Sequence, residues 1–157
     1  MSFIKIIVFI FVFSVNIYAH CQIPCGIYDD KAAFAKMRQH VVTIHKSIDM
    51  INALSIEKSS EESLEKRPSH QQQFTRWVLN KENHASDLQH MVSDYFLSQR
   101  IASPGKRDRF LYKRYLEKLA ASHQIIFYAM KSKQSLNLDH ITELNTYIDE
   151  LEELLKR

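Results

Sequence analysis

Over residues 34–51 the large apolar side chains Phe34, Met37, Val41, Ile44, Ile48 and Ile51 follow one another at intervals of 3, 4, 3, 4 and 3. Such spacing places all six on one stripe of a helix and excludes a strand, whose faces alternate every second residue. The whole chain of 157 residues holds only two glycines and three prolines. A many-stranded fold needs more turn chemistry than that, so a few long helices are expected.

Four helical segments are predicted. The first runs from about Asp30 to Ile56 and carries the stripe above. A second, from about Gln71 to Gln99, has Phe74, Trp77, Val78, Leu88, Met91, Val92, Tyr95 and Phe96 as its apolar face. The third runs from about Arg109 to Lys131 with Tyr112, Tyr115, Leu119, Ile126 and Met130. A fourth, from about Leu138 to Lys156, repeats the 3-4 spacing at Ile141, Leu144, Ile148, Leu151 and Leu155, with Asn137 as its N-cap. The stretches at 59–69, 102–108 and 132–137 are polar and hold Pro68 and the only Pro-Gly pair, so they read as connections. Four amphipathic helices with these joints define an all-α, antiparallel up-and-down four-helix bundle. The aromatic and methionine positions are expected to form its core.

The N-terminus differs in kind. Lys5 precedes eight consecutive apolar residues, 6–13, and polar Ser14 and Asn16 then lead to the small Ala19. Charge, apolar run and exit residue match a signal peptide over residues 1–19, cut after Ala19; the run falls short of the ~20 residues a spanning helix needs. Removing it deletes one lysine from a chain of formal charge +3, leaving about +2. That small, dispersed balance argues against nucleic-acid binding. The remaining domain is 20–157, with a hook at 20–28 and the bundle at about 30–156.

Chemistry is sparse in the body. A di-iron site needs paired Glu-x-x-His motifs from two helices, and the nearest match is a lone Asp87-Leu88-Gln89-His90. His40 and His45 lie five apart, which gives no shared helical face, and the seven histidines beyond His20 read as surface or interhelical groups. Both cysteines, Cys21 and Cys25, sit instead in the hook beside His20. In an exported protein they are candidates for a disulfide, although so short a loop constrains the unfolded chain little. Pro24 and Gly26 favour a tight turn that folds Cys25 back toward Cys21. Once the chain starts at His20, the same segment offers an α-amine, an imidazole, two thiolates and an amide nitrogen. Two nitrogens and two sulfurs in a short chelate suit Ni(II) or Cu(II).

The segment His20-Cys21-x-x-Pro24-Cys25-Gly26-x-Tyr28 resembles the nickel hook of the nickel-containing superoxide dismutases. Residues 76–100, RWVLNKENHASDLQHMVSDYFLSQR, are similar to the second helix of that family, with its Ser-Asp-Tyr-Phe at Ser93–Phe96. The resemblance implies a four-helix bundle and a superoxide dismutase that turns superoxide into dioxygen and hydrogen peroxide by Ni(II)/Ni(III) cycling. It implies one nickel ion per subunit held by His20, Cys21 and Cys25, with the His20 imidazole axial and Tyr28 beside the open face. It also implies a homohexamer packed around the hooks. Three positions depart from the best-known branch of the family. Gln22 stands in place of an aspartate. Lys36 falls where a first-helix carboxylate orients the imidazole, leaving Asp29 or Asp30 as replacements. Leu97 replaces a lysine that guides superoxide, with Arg100 as a substitute. The leader points to a periplasmic or secreted enzyme; the alternative, common in the family, is a cytoplasmic protein with a dedicated leader peptidase. Two other readings of the hook remain: a non-enzymatic exported helical protein that binds nickel or copper, and a metal-free interaction protein with a Cys21–Cys25 disulfide.

Overall fold

The computed structural model describes residues 26–57 and 67–156, all helix and connection with no strand among them. The leader, His20, Cys21, Pro24 and Cys25 lie outside the described residues. Among the described residues four helices follow in order: α1 (Asp30–Glu57), α2 (Arg67–Met91), α3 (Arg109–Gln134) and α4 (Asp139–Lys156). A π-helical segment, Val92–Arg100, continues α2 without a break.

Side-chain bridges fix the directions of the four rods. Between α1 and α2, His40 meets His84, Asn80 donates to Ser47 and His70 meets the Leu54 carbonyl, so the early part of one faces the late part of the other. Between α2 and α3, Lys81 reaches Ser132 and Gln89 reaches Ile126. Tyr128 lies against both His140 and Tyr147, which runs α4 antiparallel to α3. Arg38, early in α1, donates to Asp149 and Glu152, late in α4, and closes the ring. This is the up-and-down bundle that the spacing predicts. No helix among the described residues is long and apolar enough to cross a membrane.

All six stripe residues of α1 are buried, as are Ile141, Leu144, Ile148 and Leu151 of α4, while Leu155 is half-buried. The two remaining helices depart from expectation. The apolar face of α2 jumps from Val78 to Leu88 in sequence, and the structure fills that gap with buried Lys81 and Ala85. In α3 the buried positions are Ala121, Ser122, Ile125, Ala129 and Ser132, while Tyr112, Tyr115, Leu119, Ile126 and Met130 are only half-buried flanks. Small side chains let the backbone approach, and the bulky neighbours then cover the seam from either side. The aromatics are therefore core only in part: Phe34 and Phe96 are sealed, whereas Phe110 is 69% exposed.

Boundaries shift by a few residues. α2 begins at Arg67, four residues before the predicted start, with Pro68 in its first turn. Proline is tolerated there because the first N–H groups of a helix have no partner within it. The Asp108 side chain caps α3 by accepting from the N–H groups of Phe110 and Leu111, and Asn137 accepts from the Asp139 N–H at the start of α4. Gly105, in the Pro-Gly pair, takes a left-handed φ of +76°.

Candidate metal centre

The described chain begins where the hook meets the bundle. Gly26 has φ +87°, a left-handed conformation that costs other residues strain. Asp29 then starts α1, its Oδ1 accepting the Ala32 N–H at 2.9 Å. Between them Tyr28 is 39% exposed and lies on a platform made by the far end of the α2 rod. Its ring meets Tyr95 edge-on, with centroids 5.8 Å apart at 85°, and the Arg100 guanidinium sits 5.0 Å from its centroid. Tyr95 in turn packs edge-on against the buried Phe96, and Phe96 against Phe34 of α1.

Asp30 ties this platform together. Tyr95 donates its hydroxyl to Oδ1 at 2.8 Å, Arg100 Nε donates to the same oxygen at 2.7 Å, and Arg100 Nη2 donates to Oδ2. Tyr95 and Arg100 are five residues apart, and the π-helical widening, whose Ile101 N–H bonds back to the Phe96 carbonyl, brings both onto one side. The Arg100 hydrogen bonds hold the Asp30 carboxyl below its ordinary range. Burial, reinforced by the bond to Asp30, pushes Tyr95 up to about 12, so its hydroxyl keeps its proton at any physiological pH.

Of the predicted site residues, Tyr28 is therefore placed on a rigid aromatic and ionic platform; His20, Cys21 and Cys25 lie outside the described residues. The two candidate replacements for a first-helix carboxylate are both engaged, Asp29 as a helix cap and Asp30 with Arg100 and Tyr95. Arg100 is likewise committed to Asp30, which neutralises much of its charge. The sequence reading does not single out two further cations near Arg100. Arg114 and Lys118 line the same surface groove as Arg100, and Lys118 is held below its ordinary pKa by burial and by both arginines. Their signal was available only as an i, i+4 pair of charges on α3, which any solvated helix face carries.

The fold defines the chain as an all-helical bundle with a specialised N-terminal root. The model of the nickel-containing superoxide dismutase family matches residues 15–157, which takes in His20, both cysteines and the whole bundle, and the chain belongs to that family. It is accordingly a superoxide dismutase, an oxidoreductase of the nickel-containing type. Neither a curated protein nor a solved structure matches the chain at a significant level.

Proposed function

We propose that the enzyme works at a nickel hook formed by His20, Cys21 and Cys25, exposed by removal of residues 1–19, in a periplasmic or secreted homohexamer with one nickel ion per subunit. The observation that carries this reading is the family match beginning upstream of the hook and running through the bundle, joined to a platform that presents Tyr28 three residues after Cys25. The donor set fits the metal: two thiolates, an α-amine, an amide nitrogen and an imidazole suit square-planar or tetragonal nickel. When bound, nickel supplies a one-electron Ni(II)/Ni(III) couple, through which one superoxide is oxidised to dioxygen and a second, with two protons, is reduced to hydrogen peroxide.

The chain's own residues do the rest. Gly26, with its left-handed φ, lets the chain turn between the cysteine segment and α1. Tyr28, held by Tyr95 and Arg100, bounds the open side of the hook and restricts what enters. Arg100, Arg114 and Lys118 together outweigh Asp30 in charge, and a cationic groove beside the site raises the local concentration of an anionic substrate. Tyr95 keeps its proton and spends it on Asp30, so its part is positioning. Cys21→Ser and Cys25→Ser are each expected to abolish dismutase activity and nickel content while the helical circular dichroism persists. Dismutase activity retained in either variant overturns the reading.

A further inference from the structure

Further along the seam between α1 and α2, three side chains converge that take no part in the platform under Tyr28. His40 of α1 and His84 and Asp87 of α2 bring one ligand atom each within 4.8 Å of one another. His84 and Asp87 are three apart and so share a helix face, while His40 comes across the seam to meet them. The two Nδ1 atoms are 2.8 Å apart. Two imidazoles bound to one tetrahedral cation at about 2.0–2.1 Å hold their nitrogens roughly 3.3 Å apart, so the rings would need to part by only about half an ångström.

The hydrogen bond between the rings does not fix which ring carries the Nδ1 proton. Facing Nδ1 atoms make a single hydrogen bond, in which one ring donates and the other accepts. His40 is only 7% exposed, and its Nε2 has no partner among the described residues, so no protein group fixes its tautomer. Asp87 is exposed and contributes an anionic oxygen to a pair that is otherwise neutral. A cation seated between the rings takes both Nδ1 lone pairs and the carboxylate together and sets both ring protons on Nε2. Lys36, one turn before His40 on α1, opposes it; burial foremost, then the His84 ring and the Lys36 ammonium, hold His40 below its ordinary pKa, against Asp87. Ala35, Gln39 and Thr43 continue this face as an open groove, which leaves room for water as a fourth ligand.

We propose that His40, His84 and Asp87 form a second metal site, an imidazole–imidazole–carboxylate seat for a borderline divalent cation such as Zn(II), clamping α1 to α2. Its donors are nitrogen and oxygen only, so it differs in kind from the thiolate-rich hook and does not depend on the reading of the hook.

The test removes the hook's thiolates and asks what still binds. Full-length chain carrying Cys21→Ser and Cys25→Ser is titrated with Zn(II), following bound zinc by calorimetry and the melting temperature. One equivalent is expected, with a zinc-dependent rise in Tm and, for Co(II), visible d–d absorption free of thiolate charge-transfer bands. His84→Ala in the same background is expected to weaken binding at least 100-fold and to abolish the rise. Asp87→Asn, on an exposed position that does not threaten folding, is expected to weaken it about tenfold or more. Absence of a zinc-dependent shift in the parent overturns the proposal, as does a shift that survives both substitutions. Either result leaves the dismutase assignment where it stands.

Discussion

Lys81 shows how much one side chain carries in this bundle. It is 3% exposed, and its ammonium donates to the carbonyls of Ser132 at 2.5 Å, Lys133 at 2.6 Å and Ser135 at 3.4 Å. Those carbonyls end α3, where the last four C=O groups have no helical partner and the dipole is negative, so a cation from α2 closes that end. Burial pulls the Lys81 pKa down, and the neighbouring Glu82 carboxylate works against that loss. Lys81→Met keeps most of the volume but strands the carbonyls. A loss of about 1–3 kcal/mol is expected from unmaking hydrogen bonds to a buried charge. Urea denaturation checks this, and a variant as stable as the parent contradicts it. A lysine inside an apolar helix face reads in sequence as a gap in the pattern, so its role was illegible until α3 was placed beside it.

The four helices differ in how openly the sequence declares them. α1 and α4 bury large aliphatic residues at 3-4 spacing, and the pattern gives nearly every core position. α3 buries alanines and serines, which no hydrophobicity pattern singles out, and the visible aromatics mark its flanks instead. The π-helical end of α2 is invisible as well, because nothing in Val92–Arg100 departs from ordinary helical composition. The hook motif was legible as chemistry because His20, Cys21 and Cys25 are neighbours in sequence. The His40–His84–Asp87 group was not, since its members are brought together only by the antiparallel pairing of α1 with α2. One element has an end that a single residue decides. Asp108 Oδ1 accepts from two N–H groups of α3, at 2.9 and 3.0 Å. Asp108→Ala is expected to cost about 1 kcal/mol and to lower Tm by a few degrees, as measured by thermal denaturation.

Among the described residues of the metal-free chain, two groups, His40 and Asp30, link folding to acid. Burial foremost, then His84 and Lys36, depresses His40 below 6.5, with Asp87 opposing. As pH falls through 6.5 the unfolded chain takes up this proton before the folded chain does, so stability declines with acidity until the folded pKa is reached. Asp30, depressed by its bonds to Arg100, contributes stability that is present above 3.8 and is lost as pH falls through its folded pKa. Urea midpoints are therefore expected to fall between pH 7.5 and 5.5, well above the carboxylate range. His40→Gln, which cannot titrate, is expected to flatten that first decline; an unchanged slope counts against it.

The bond between Asp30 and Arg100 joins residues 70 apart in the chain. A ribosome delivers Asp30 first and its Arg100 partner much later, after the entire second helix has emerged. For that interval Tyr28 has neither the Tyr95 ring nor the Arg100 guanidinium to lie against. The seat of Tyr28 thus exists only once α1 has paired with the end of the α2 rod, and it is a property of the closed bundle and not of the growing chain.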